Sequence, residues 1–277
     1  MADEQAAPKV DPAARVHPDA ELAAGVTVAM GALIEAGVVV GTGSEIGPNA
    51  VLYSGTTVGA EVKVGPGAVL GGTPQVLKFR GGDSGVTIGD RTVVREYVTI
   101  HRCVEPGKNT VVGSDCLLMA TSHVAHECVL GDGVVFANGV MMAGHATVGD
   151  GAFLSGYVVV HQFARVGRLA IVSGASTVRQ DIVPFCIADG HPARPKGLNV
   201  VGLRRAGVSA DRLRDLKRAY RVLFGGGGTL DGRLAELEDG SRGGIAEINE
   251  LVEFVRVSDR GIARPRRKRA SLARNPS

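Results

Sequence analysis

The stretch VAMGAL-IEAGVV-VGTGSE-IGPNAV, residues 28–51, repeats every six positions. An aliphatic residue opens each hexad, and small or turn-forming residues follow. The pattern starts at Val16 and continues through LYSGTT, VGAEVK, VGPGAV and LGGTPQ. It breaks over VLKFRGGDSGVT (76–87) and resumes with IGDRTV, VREYVT and IHRCVE. It breaks again over PGKNTV (106–111), then runs from Val112 to Val183. The openers Val16, Ile88 and Val112 stand whole multiples of six apart, so each interruption replaces complete hexads. A six-residue unit cannot bury its own apolar residue, but stacked units bury them jointly, and this predicts a parallel β-helix. Each opener points inward and each coil pairs its backbone with the next at about 4.8 Å. Burial of Val, Ile or Leu at roughly 1.5–3 kcal/mol per side chain supplies the driving force.

Composition agrees. Aromatics make up 4% of the chain, Trp is absent and Gly reaches 40 residues. Such an interior is built from aliphatic side chains and closely packed backbone. A net charge of +3 excludes a chain that binds nucleic acid by bulk electrostatics. Cys103, Cys116, Cys128 and Cys186 show no metal or disulfide spacing and read as small apolar fillers in a reducing cytoplasm. The start, MADEQAAPKVDPAARVHPDAE, is not a signal peptide, and no apolar run is long enough for a membrane span.

The hexads resemble those of the hexapeptide-repeat transferases, which implies a left-handed β-helix with three hexads per triangular coil. General connection rules would favour the right hand, so the hand comes from the resemblance. Hexads 18 apart then share a face. VAHECV (124), MAGHAT (142) and VHQFAR (160) carry His126, His145 and His161 on one face in consecutive coils, and His123 closes the preceding hexad at a corner.

Several readings of these histidines compete. One makes them structural corner residues of a non-catalytic scaffold. A second has them bind zinc as in gamma-class carbonic anhydrases, but those carry an H-x4-H pair, and no two histidines here are five apart. A third is acyl transfer. A sugar hydroxyl or amine attacking a thioester must lose a proton, and imidazole suits that task near neutrality. The oxyanion that forms needs a fixed donor. Gly144, one coil from His126, permits close backbone approach.

VGSDCLLMATSHVAHECVLGD, MMAGHATVGD, VVVHQFARVGR and PARPKGLNVVGLRRAG together resemble the acyl-[acyl-carrier-protein]–UDP-N-acetylglucosamine O-acyltransferases of lipid A biosynthesis, from about residue 10 to about residue 255. The resemblance implies transfer of an (R)-3-hydroxyacyl chain from acyl carrier protein to the sugar 3-hydroxyl. It also implies a homotrimer with sites between subunits, and no metal or cofactor. It makes His126 the general base, Glu127 its polarising partner (adjacent strand residues point oppositely, so a plain solvated carboxylate is the alternative) and Gly144 the oxyanion donor. His123, His145, His161 and Gln162 match substrate-contacting positions. Gln75 and Lys78 lie in a loop reaching toward a neighbouring subunit, and Asn199 and Arg205 match nucleotide contacts. Gly174 matches an acyl-chain ruler, or is a tight coil position. Val76, Val201 and Ala206 depart from the family pattern near the donor and nucleotide regions. They leave an N-acyltransferase on a 3-amino sugar nucleotide as the alternative.

The expected organisation is an N-terminal extension (1–15), the β-helix (16–183), a C-terminal helical domain (184–259) and a basic tail (260–277) read as disordered. Ser209 is an N-cap candidate before ADRLRDLKRAYRVLF, and GGGG (225–228) ends that helix. The helical domain either contacts nucleotide and carrier protein or simply caps the solenoid. Arg264, Arg266, Arg267, Lys268 and Arg269 are either solvated or a tether for an acidic partner or membrane surface.

Overall fold

The computed structural model describes residues 7–239 and 245–266. The chain winds as a left-handed parallel β-helix whose short strands form three sheets: eleven-stranded (face A), nine-stranded (face B) and eight-stranded (face C). Successive strands visit A, B and C in turn. Arg15–Val16, for example, pairs with Leu33–Ile34, which pairs with Val51–Leu52.

Each two-residue strand is the last residue of one hexad, facing out, and the opener of the next, facing in. The openers Ile34, Ile46, Leu52, Leu70, Ile88, Ile100, Leu118 and Leu130 are all at most 1% exposed. The fifth hexad position also points inward and is small: Ala32, Ala50, Ala68, Cys116, Cys128 and Ala146 are buried there. At Ser44 the next coil satisfies a polar residue there, whereas the hydroxyls of Thr56 and Ser122 are buried without a hydrogen-bond partner. Ser44 Oγ donates to Gly59 O at 2.8 Å and accepts from Val62 N at 2.9 Å. All four cysteines are buried and free, as expected of fillers.

Turns occupy the third and fourth hexad positions, and the fourth takes a left-handed conformation. Gly fills it at Gly31 and Gly43, but Asn49, Tyr97, Glu127, His145 and Phe163 adopt it too, with φ between 54° and 65°. That detail decides where the histidines point.

The coil starts before Val16, because Lys9–Val10 already pairs with Thr27–Val28. The two sequence breaks are loops extruded at the corner between faces B and C. Residues 73–84 separate Val69–Gly72 from Gly85–Ile88, and residues 102–108 separate Thr99–His101 from Asn109–Val112. Register steps lengthen accordingly: Val69 pairs with Thr99 and Thr99 with His123. The period of six survives, while the period of 18 does not hold across the loops.

Face A continues past Val183 through Cys186–Asp189, which pairs in parallel with Ile171–Val172 and antiparallel with Arg194–Leu198. Among the described residues four helices follow: α1 (Val200–Arg205), α2 (Ala210–Gly225), α3 (Leu230–Asp239) and α4 (Ala246–Arg256). Ser209 caps α2 by accepting from Arg212 N at 3.3 Å, and Leu213, Leu216, Ala219 and Leu223 bury its inner face. α4 is clamped to the coil. Arg168 makes a bidentate contact with Glu250, and the Arg165 guanidinium lies 4.0 Å from the Phe254 ring centroid. The segment after α4 is packed further than the sequence suggested. Ile262 bridges to Asp181, and Ile262 and Ala263 are buried. Of the basic run, Arg264 and Arg266 are exposed, and residues 267–269 lie outside the described residues.

Candidate active site

The sequence reading put His126 on a face and His123 at a corner. The structure reverses them. His123 is the outward residue of the face B strand His123–Val124, and His126 and Glu127 occupy the turn between faces B and C. The reason is that the coil turns after the opener, at hexad positions three and four. His126, Gly144 and Gln162 therefore stack in one column, with Glu127, His145 and Phe163 in the next. His161 shares a third column with Ala125 and Ala143. The histidines gather at one corner rather than on one flat face.

Strand alternation does not govern Glu127, because its φ of 54° turns its side chain to the same side as His126. Glu127 Oε2 is hydrogen-bonded to His126 Nδ1. Glu127 Oε1 accepts from Val104 N at 2.5 Å and Glu105 N at 2.9 Å. The 102–108 loop thus holds the carboxylate, and the carboxylate holds the imidazole. Burial works to raise the Glu127 pKa, but the Glu105 amide, His126 and the Val104 amide together hold it below the usual range. Glu127 is ionised, not a free solvated acid.

Gly144 lies directly beneath the His126 ring. A Cβ there would fall 2.6 Å from His126 Nε2, so only Gly fits. Its own N–H donates to no group among the described residues. His145 stands edge-on to His126, with ring centroids 5.3 Å apart, and stacks on Phe163 at 4.6 Å. Its Nε2 is 3.7 Å from Glu127 Oε2.

Two cavities meet at His126. One, about 320 Å³, opens on face B and is lined by Ala125, Met141, Val159, Gly144, His101 and His123, among others. The other, about 690 Å³, lies under the two extruded loops, between Gln75 and Val76 on one side and Glu105, Glu127 and His145 on the other. Met141, Met142, Val159 and Val160 line the first, while the carboxylates of Glu105 and Glu127 line the second. The loops brace each other: Arg102 Nη2 donates to Gly82 O at 2.8 Å and Ser84 Oγ to Cys103 O at 2.6 Å.

Gln75 reaches both cavities and Gln162 lines both. Lys78 is exposed on the same loop and lines neither. His161 is exposed, with Nδ1 3.0 Å from Gln162 O. Gly174 sits at the corner between faces A and B, across face B from His126. Asn199 caps α1, accepting from Gly202 N at 2.9 Å and donating to Leu169 O at 2.9 Å, and is 5% exposed. Its side chain is thus occupied in holding the helical domain to the coil. Arg205 is exposed at the end of α1. His101 was missed. It was visible in IHRCVE, but the hexad inserted by the second loop hides its phase relation to His126.

The chemistry of the set is acid–base. His126, Glu127 and His145 offer ligand atoms within 4.8 Å of one another, which by type suits a zinc ion. To serve one, Glu127 Oε2 would have to leave His126 Nδ1 while Oε1 stays tied to two amides. A thiolate nucleophile is not available, since burial pushes Cys128 up to about 12.

Comparison with known proteins identifies the family. Residues 181–263 match the family model for UDP-N-acetylglucosamine O-acyltransferase domain 2, and residues 37–72 and 109–144 match the bacterial transferase hexapeptide repeat. A curated acyl-[acyl-carrier-protein]–UDP-N-acetylglucosamine O-acyltransferase from Alkalilimnicola ehrlichii is 43% identical over 195 residues, 70% of this chain and 75% of that one. The Burkholderia orbicola enzyme of the same name is 39% identical over 198 residues, 70% and 76% of the two chains. A solved UDP-N-acetylglucosamine acyltransferase from Francisella novicida superposes with a TM-score of 0.89 at 29% identity, covering 93% of this chain and 95% of that one. One from Bacteroides fragilis gives 0.87 at 37% identity, covering 92% and 99%. The fold and site define a hexapeptide-repeat acyltransferase. The chain belongs to the acyl-[acyl-carrier-protein]–UDP-N-acetylglucosamine O-acyltransferase family.

Proposed function

We propose that this chain transfers an (R)-3-hydroxyacyl group from acyl carrier protein to the 3-hydroxyl of UDP-N-acetylglucosamine, the opening step of lipid A biosynthesis. The observation that carries the mechanism is the position of His126 between ionised Glu127 and the unpaired N–H of Gly144. Glu127 holds the proton on Nδ1, which leaves Nε2 free to accept. As the sugar oxygen attacks the thioester carbonyl, its proton passes to Nε2, and the Glu127 carboxylate stabilises the imidazolium that forms. The carbonyl oxygen becomes an oxyanion against the Gly144 N–H. Collapse of the tetrahedral intermediate expels the carrier thiol, which takes the proton from Nε2.

The two cavities divide the substrates. The one under the loops, with the Glu105 and Glu127 carboxylates and His145, suits the sugar, and the one on face B, with Met141, Met142, Val159 and Val160, suits the acyl chain. In this reading His123, His145, Gln75 and Gln162 contact substrate, Lys78 and Arg205 offer cations to phosphate, and Gly174 limits the chain. Asn199 acts by placing α1. No cofactor enters the scheme.

The reading also requires a second copy. Gly174 and His126 lie at opposite edges of face B, so an acyl chain that leaves His126 for the neighbouring copy would meet that copy's A–B corner. Face B and its edges expose Met141 (49%), Tyr157 (69%) and Val159 (36%), and Leu77 on the first loop is fully exposed. A homotrimer, each corner meeting the next copy's opposite corner, would cover them. Among the described residues no helix is long and apolar enough to cross a membrane. Four free cysteines fit a reducing cytoplasm.

The test is a transfer assay with 3-hydroxyacyl carrier protein and UDP-N-acetylglucosamine. His126→Ala should lower turnover at least about 10²-fold with the fold intact. Near-wild-type turnover would reject the assignment.

A further inference from the structure

His101 has a place in this site that acid–base chemistry does not use. It ends the face B strand Thr99–His101, in the column that continues through Ala125 and Ala143 to His161. Two alanines between two imidazoles leave a notch about two coils tall, and that notch opens into the apolar cavity beside His126. His101 walls its N-terminal end.

The ring is fixed. It is 9% exposed and stands edge-on to His123, with centroids 4.8 Å apart at 76°. Nδ1 is buried without a hydrogen-bond partner. Nε2 has no protein partner among the described residues either, but it is not among the buried atoms, so its open side is the cavity. A buried N–H without an acceptor costs more than a bare lone pair, so the proton belongs on Nε2. Burial, together with the charges of His123 and His126, pushes the His101 pKa down to about 4. The ring is therefore a neutral donor throughout the working pH range.

We propose that His101 Nε2–H donates a hydrogen bond to an oxygen of the acyl donor, making His101 a positioning residue for that substrate. The donor is favoured over the sugar because Met141, Val159, Ala125 and Ala143 surround this cavity, while the carboxylates lie in the other one. The proposal rests on the acyltransferase reading. The accepting oxygen is either the hydroxyl on the acyl chain or an amide carbonyl on the carrier's prosthetic arm.

Four proteins are compared by steady-state kinetics with each substrate varied in turn: wild type, His101→Phe, His101→Gln and His101→Asn. Phe keeps the ring contact with His123 but has no N–H. The Gln amide nitrogen reaches near the Nε2 position, while the Asn nitrogen stops near Nδ1. One lost hydrogen bond predicts a roughly tenfold rise in KM for acyl carrier protein in Phe and Asn. Gln should recover most of it, with KM for UDP-N-acetylglucosamine unchanged within about twofold. A loss confined to 3-hydroxyacyl donors identifies the acyl hydroxyl, and an equal loss with unsubstituted donors identifies the arm. Wild-type behaviour of Phe and Asn, equal loss in Gln and Asn, or a change confined to the sugar KM overturns the proposal. An inactive wild type would instead reject the acyltransferase reading itself. If Phe does not fold, the Gln–Asn pair still decides.

Discussion

The His126 imidazole lies over the α-carbon of Gly144, in the space a methyl group would need. The proposed base and the proposed oxyanion donor are therefore adjacent because the latter has no side chain. Gly144→Ala should push the ring off Glu127 Oε2 and lower kcat by about 10²-fold or more. The thermal midpoint should change little, since Gly144 lies at a turn and not in the apolar stack. Measuring kcat and thermal unfolding on the same preparation checks this, and an active Gly144→Ala would sink it.

In the proposed mechanism Glu127 supports His126 by charge and by proton placement. Glu127→Gln keeps an oxygen for the Val104 and Glu105 amides but turns an NH2 toward His126 Nδ1. That donor forces the ring proton onto Nε2, where it blocks acceptance of the sugar proton. We expect a kcat loss of about 10²-fold or more with KM values nearly unchanged. Glu127→Ala should add a loosened 102–108 loop, seen as faster hydrogen exchange at Val104 and Glu105.

Gly174 differs from Gly144 in what surrounds it. A Cβ at Gly174 would meet Gly156 O at 3.4 Å and Ser155 Cβ at 3.9 Å, ordinary contacts within its own chain. Gly174→Met should therefore fold with an unchanged thermal midpoint. If Gly174 limits the acyl chain, the product from a mixed 3-hydroxyacyl carrier-protein pool shifts to shorter chains by mass spectrometry. An unchanged product distribution would remove Gly174 from the site.

The buried neutral histidines make stability depend on pH. His101 titrates at about 4 in the folded chain, against about 6.5 for an ordinary histidine. Between those values the unfolded chain binds more protons, so stability falls as pH drops from about 6.5 toward 4. His101 alone accounts for up to about 3 kcal/mol of that loss. His123, whose pKa is lowered first by burial and then by His126, adds in the same direction. Glu127, held low, contributes stability that persists until pH falls through its depressed value. Thermal midpoints from pH 7 to 4.5 should fall less steeply in His101→Phe than in wild type. Parallel curves would show that His101 titrates normally.

The sequence by itself determined the coil. The spacing of Ile34, Ile46 and Leu52 fixes which residues point inward, because burial of one aliphatic residue in six leaves a single register that hides them all. It also marked His126, Glu127 and Gly144, since motif and period meet at those positions. The corner geometry came only from the tertiary structure. A left-handed φ at Glu127 cancels strand alternation and turns neighbouring side chains to one side, which no pattern of apolar residues encodes. The two loops also escape the period. They add whole hexads, so the count stays in step while His101 moves to one coil from Ala125, and Val104 and Glu105 come to hold Glu127. Hexad phase is a local property set by burial. The meeting of loop, turn and coil at His126 is a long-range one, set by where the extruded residues find hydrogen-bond partners.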